Sequence, residues 1–131
     1  MLVDSNVLLD VLEEDAVHYT TSALALARAI DMGAAINPIV YAEVSVGFER
    51  IEDLEDALPA SELPRLGLPL EAAFLAGKCF LTYRRAGGLR RSPLPDFFIG
   101  AHAAVAGMRL LTRDLGRYRA YFPGLAIEQP Q

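Results

Sequence analysis

"MLVDSNVLLDVL" (residues 1–12) opens on a short apolar run and sets an aspartate directly behind it. The run "MLVD" reads as a short buried strand. "SNVLLDVLEED" then carries apolar residues at helical spacing, with Ser5 or Asn6 near the helix cap. Asp4 therefore stands at the carboxyl end of a strand, where burying an acid is costly. It either caps the next helix or points at something charged.

Working outward, the same alternation recurs. "HYTTSALALARAIDMG" is helical and stops at Gly33, and "AAIN" is a second short strand. Pro38 opens a helix over "PIVYAEVSVGFERI", where its missing N–H does no harm. A short acidic helix and proline-broken loops fill "EDLEDALPASELPRLGLP". A long helix with a basic end follows, "LEAAFLAGKCFLTYRRAGG". After the loop "LRRSPLP" come a small-residue helix, "DFFIGAHAAVAG", a strand, "MRLLT", a short helix in "RDLGRYRAYF" and a last strand, "LAIEQ". Short strands separated by helices predict an α/β fold with a central parallel sheet and helices on both faces. In such sheets ligands bind beyond the carboxyl ends of the strands. Asp4 and Asp114, each following a strand, should share that rim.

The 131 residues, 53% hydrophobic and 22% charged, predict one domain over 1–131 with a single core. No run approaches the ~18 consecutive apolar residues of a membrane span. Cys79 has no partner for an intramolecular disulfide, which suits a packed thiol in a reducing cytoplasm. The net charge of −5 is unevenly spread: residues 1–77 hold 14 acids and 3 bases, residues 78–131 hold 3 acids and 9 bases. A basic half invites a polyanionic partner, while the overall acidity argues against indiscriminate nucleic-acid binding.

Two more acids are awkward. Glu43 shares a helical stripe with Val40, Val44 and Gly47, and Asp96 lies on a line through Ile99, Gly100 and Ala103. Neither helix offers a lysine or arginine on the same face. Singly, Asp4, Asp96 and Asp114 are also explained as caps or turn residues, and Glu43 as a side chain reaching to water. Together, four such acids would repel one another unless cations neutralised them. An all-oxygen set without a cysteine or histidine pair suits Mg²⁺ or Mn²⁺ rather than zinc. Beside a basic surface, hard ions held by several carboxylates point to phosphodiester hydrolysis.

The blocks "VDSN", "VYAEV", "PDFFIGAHA" and "LLTRD", in this order across nearly the whole chain, resemble the PIN domain, specifically the VapC-type toxins of bacterial type II toxin–antitoxin pairs. The resemblance implies a PIN-like three-layer α/β/α sandwich and an Mg²⁺-dependent endoribonuclease, with Mn²⁺ as a substitute. It implies catalytic and metal-site roles for Asp4, Glu43, Asp96 and Asp114, with Asn6 supporting Asp4 and Thr112 orienting the site. It also implies an RNA substrate, a cognate antitoxin and a homodimer. Some relatives carry a further acid just beyond the "TRD" aspartate, whereas here "LGRY" follows, which leaves one or two metal ions open.

Arg84, Arg85, Arg90 and Arg91 flank the "AGGL" turn, either as a solvated helix end or as a clamp for RNA phosphates. Arg113 would reach phosphate or pair with a carboxylate. His102 and His18 read as packing and surface residues, and Tyr118, Tyr121 and Phe122 as core and edge packing. The competing function is a non-catalytic PIN-like module that binds RNA or protein. A haloacid-type phosphohydrolase would need a second aspartate two residues after the first, where Asn6 stands. A nucleotide-binding Rossmann site would need a glycine-rich loop after the first strand, and none follows.

Overall fold

Pairs of buried aliphatic residues make the sheet. In a computed structural model of the chain, which describes residues 1–88 and 94–131, β1 (Leu2–Val3), β2 (Leu110–Leu111) and β3 (Ile127–Glu128) run parallel in the order β1-β2-β3. Leu2 pairs with Leu110, and Leu110 with Ile127. The expected strand at "AAIN" is reduced to bridges: Ala35 pairs with Leu2 on one side, and Ile36 with Arg65 on the other. Both are parallel, so the sheet widens beyond β1. Leu2, Val3, Ile36, Leu110 and Leu111 are all buried, as expected for strands covered on two faces.

Seven helices occupy the described residues: α1 (Ser5–Leu12), α2 (Tyr19–Asp31), α3 (Pro38–Ser45), α4 (Ile51–Ala57), α5 (Leu70–Arg85), α6 (Leu94–Ala106) and α7 (Leu115–Tyr121). The result is the α/β class expected from the alternation of elements. Gly33, at φ 93°, ends α2 in the left-handed conformation that glycine adopts without strain.

Two of the boundaries that differ from the expectation bear on the site. The helix from Pro38 stops at Ser45, and a separate helix begins at Ile51. Gly47 sits in the gap, a poor helix former. At the other boundary, α6 begins at Leu94, so Asp96 is in the first turn rather than at the cap. Pro95 fits there because first-turn residues have no intrahelical partner for an N–H.

Three packings position the rim. Helix α6 lies against α3, α5 and α7. Asn37 caps α3, its Oδ1 accepting from Ile39 N (3.1 Å) and Val40 N (2.9 Å), and its Nδ2 lies 3.1 Å from His102 Nδ1 on α6. Gly100 lets the Phe122 ring close on α6: a Cβ there would stand 2.4 Å from the ring. Burying large apolar side chains such as Phe97 and Leu111 contributes about 1.5–3 kcal/mol each.

Candidate active site

Asp4 follows β1 and caps α1, which realises the first of the two readings of the opening stretch. Its Oδ1 accepts from Ser5 N at 2.7 Å. Its Oδ2 accepts from Thr112 Oγ1 (2.8 Å), Tyr118 OH (2.9 Å) and Asn6 Nδ2 (3.3 Å). Burial raises its pKa despite these donors, and the charge of Asp96 adds to the rise.

Thr112, just beyond β2, is the hub. Its buried hydroxyl donates to Asp4 and accepts from Asn6 Nδ2 (3.0 Å) and from Asp114 N (3.1 Å), so every hydrogen-bonding capacity is used. Asn6 also accepts from Arg113 N at 3.2 Å, which ties the start of α1 to the chain after β2.

Glu43 on α3 is half-buried and accepts from Ser5 Oγ at 3.0 Å. Burial raises its pKa first, and the charges of Asp4 and Asp96 raise it further. Asp96 in the first turn of α6 meets Arg117 Nη1 of α7 at 2.5 Å. Its pKa is nonetheless raised, because burial outweighs that arginine, and Asp114 pushes the same way. The cation absent from Asp96's own helix face thus comes from another helix. Asp114 precedes α7, is exposed, and makes no side-chain cap bond.

The electrostatic neighbours form a connected set: Asp4 with Asp96, Glu43 with both, and Asp96 with Asp114. The four acids thus occupy one region, brought from β1, α3, α6 and the start of α7. Among the described residues, however, no three Asp, Glu, His or Cys side chains converge at metal-ligating spacing. Hydrogen bonds hold Asp4 and Glu43, and Arg117 holds Asp96. The donor chemistry suits a hard divalent cation: carboxylates whose charged forms burial and mutual repulsion disfavour. Their present convergence does not yet make a ligand shell.

Tyr118 is the residue whose role here was least visible in sequence. Its ring is wholly buried, as core packing requires, and its hydroxyl reaches Asp4. Burial and the charges of Asp4, Asp96 and Glu43 push its pKa far up, so it acts as a donor. Its place four residues after Asp114 on a helix was the available signal. Asp10 carries no such signal in the sequence: it is buried, accepts from Ser22 Oγ at 2.7 Å, and takes a two-pronged contact from Arg113 at 2.6 and 2.9 Å. Arg113 is therefore committed to a carboxylate of α1. Arg84 and Arg85 are exposed in the last turn of α5, and Arg84 lies 5.8 Å from the Phe80 ring centroid. Arg90 and Arg91 lie outside the described residues. His102 is buried on Asn37 with its pKa lowered by that burial, and His18 sits at the start of α2 without a side-chain cap bond.

The PIN domain family profile matches residues 1–123. The chain belongs to the PIN domain family. No curated protein matches it. Among solved structures, this PIN domain resembles FitAcB from Neisseria gonorrhoeae, at 18% identity and a TM-score of 0.73 over 98% of this chain and 96% of that one. It also resembles DNA-bound VapBC from Salmonella typhimurium, at 23% identity and 0.69 over 99% and 97%. VapBC2 from Rickettsia felis, bound to a promoter DNA fragment, matches at 20% and 0.69 over 98% and 96%. At such identities the likeness carries the fold. No helix among the described residues is long and apolar enough to cross a membrane.

Proposed function

We propose that this PIN domain is an Mg²⁺-dependent endoribonuclease acting as the toxin of a toxin–antitoxin pair in the cytoplasm. The observation that carries the reading is the mutual charge coupling of Asp4, Glu43 and Asp96 on one rim, each with a raised pKa. Structural proteins rarely gather partly buried acids in this way, because each disfavours its neighbours' charge. Asp4, Glu43, Asp96 and Asp114 would hold Mg²⁺, with Mn²⁺ as a substitute, and Asp96 would exchange Arg117 for the ion. Bound there, the metal would polarise the phosphate and lower the pKa of a bound water.

The chain's own groups do the positioning. Thr112, Tyr118 and Asn6 fix the Asp4 carboxylate through three donors on one oxygen. Ser5 does the same for Glu43. Arg84 and Arg85, with Arg90 and Arg91, are the candidate contacts to RNA phosphates. Arg113, bound to Asp10, would serve RNA only by leaving that pair. The toxin role draws on the structural relatives, among them VapBC-5 from Mycobacterium tuberculosis, named as a member of a toxin–antitoxin family, and a Klebsiella pneumoniae toxin–antitoxin complex. A small antitoxin is the corresponding partner here.

The test is RNA cleavage by purified protein in Mg²⁺ or Mn²⁺, with EDTA and with Glu43→Gln. Cleavage should need the metal and fall by at least ~100-fold in the variant. Undiminished cleavage in EDTA would sink the metal mechanism. Expression should arrest growth, and a co-expressed antitoxin should relieve it; unaffected growth with active soluble enzyme would remove the toxin role alone. A second reading, a non-catalytic RNA- or protein-binding module, is favoured by the Arg117–Asp96 pair. RNA binding without cleavage in either metal would select it.

A further inference from the structure

Asn37 and His102 are both buried and face each other where α3 packs on α6. Their bond can have only one polarity. Asn37 Oδ1 accepts from Ile39 N and Val40 N at the start of α3, so turning the amide round would set its NH₂ against two N–H donors. Nδ2 therefore points at His102, 3.1 Å from Nδ1, and can only donate. Nδ1 must offer a lone pair, which makes the ring neutral with its proton on Nε2. A ring protonated on Nδ1 would set N–H against N–H in a buried site, which is costly.

The pair does more than cap a helix. Aspartate caps as well as asparagine, yet it has no donor with which to reach a second element. Glu43 lies six residues beyond Asn37 on α3, and Asp96 lies six residues before His102 on α6. Asn37 meets His102, and the charge of Asp96 reaches Glu43. The two helices thus meet in opposite senses, with the Asn37–His102 bond at one end and the acids at the other. Six helical residues rise ~9 Å, so the arm from bond to acid is the same on both helices. Ser5 bonds Glu43 from α1 and Arg117 bonds Asp96 from α7, but neither joins α3 to α6.

We propose that His102, as the neutral ring protonated at Nε2, is a positioning residue: it accepts from Asn37, ties α3 to α6, and so sets the spacing between Glu43 and Asp96. The role rests on the nuclease reading, in which those two acids share a metal ion; the polarity of the tie does not. His102 touches neither acid and acts through the cap of α3 alone. Loss of its acceptor leaves the amide of Asn37 with a buried, unpaired donor, which favours a shift of the cap and of the helix it starts.

Ring nitrogen spectra of the ¹⁵N-labelled full chain at about pH 7.5, with Mg²⁺ calorimetry well below the melting temperature, test this. The His102 ring of the parent should be protonated at Nε2 alone. In Asn37→Asp, which keeps the cap and removes the donor, a proton should appear on Nδ1, turned towards the carboxylate. His102→Leu removes the acceptor and should weaken Mg²⁺ binding by at least ~10-fold, as the loss of a group that orients a ligand does. His102→Gln, whose Oε1 can accept from Asn37, should stay within ~3-fold of the parent. A parent ring protonated at Nδ1, or an Asn37→Asp ring identical to the parent's, overturns the tie. Equal Mg²⁺ affinity in the parent and His102→Leu overturns the positioning role and leaves the nuclease reading standing. So does a His102→Gln protein that binds as weakly as His102→Leu, because packing rather than the bond would then matter. A parent that binds no Mg²⁺ rejects the nuclease reading and the positioning role with it, and the ring spectra still decide the tie.

Discussion

Arg117 gives a test in which metal binding and stability should move in opposite directions. Arg117→Met keeps the aliphatic stem and removes the charge that faces Asp96 at 2.5 Å. The pair is partly solvated, with side-chain exposures of 40% and 23%, so its loss should cost only ~0.2–1 kcal/mol. For a domain of this size that is a fall of about 1–5 °C in the metal-free melting temperature. The same change leaves Asp96 facing Asp4 and Asp114 without a counter-charge, and it removes the group that Mg²⁺ must displace. Mg²⁺ should therefore bind about 1.4–5-fold more tightly. At one hundred times its dissociation constant the ion adds ~2.7 kcal/mol to the parent. That is a shift on the order of 10 °C, large enough to read easily. The two proteins should differ most without metal and converge as Mg²⁺ rises, because the tighter binding offsets the lost pair. Paired melting curves over a Mg²⁺ series, with titration calorimetry for affinity, supply the measurement. If the parent shows a Mg²⁺ shift and the gap stays constant through the series, Arg117 does not compete with the ion and the exchange at Asp96 is wrong.

Three further outcomes follow from the same contacts. Asp96→Asn should melt unchanged or higher without metal, since burial and Asp114 oppose its charge more than Arg117 favours it, yet lose most of the Mg²⁺ shift and cleavage. A much lower metal-free melt with the full Mg²⁺ shift would make Asp96 structural. Thr112→Val leaves Asp4, Asn6 and Asp114 N each short of a partner, a cost of ~1–3 kcal/mol. Cleavage measured well below the melting temperature should drop further than that loss explains; a proportionate loss would reduce Thr112 to packing. His102, whose folded pKa lies below its ordinary 6.5, takes up protons more readily when unfolded, so its contribution to stability is lost as pH falls through that value towards the folded one. Denaturant melts between pH 7.5 and 5 should show this fall in the parent and a smaller one in His102→Gln, and equal slopes would place the titration elsewhere.

What could be read from sequence, and what could not, divides by distance along the chain. Strand positions were legible because "MLVD" and "LLTRD" each hold a short apolar run with an acid within three residues of its end, a pattern contained in a few residues. Strand lengths were not, since pairing through Ala35 and Ile36 depends on neighbours far away in sequence. Helix ends failed where local signals competed. The apolar spacing around Gly47 masks the break between α3 and α4, and Pro95 suits a loop and a helical first turn equally well. The partners of the acids were invisible for the same reason: Ser5 reaches Glu43 across 38 positions, Arg117 reaches Asp96 across 21, and Tyr118 reaches Asp4 across 114. Side-chain periodicity reports only neighbours three or four residues apart on one helix.

At Asp4 the capping role and the proposed metal-site role are compatible. A carboxylate that caps α1 through one oxygen has the other free for Thr112, Tyr118 and Asn6, so the capping bond is what aims it at the rim. The same logic applies at Thr112, whose hydroxyl bonds both Asp4 and the backbone N of Asp114 and so sets the spacing between two of the four acids. Local structure here supplies the orientation, and the long-range fold supplies the company.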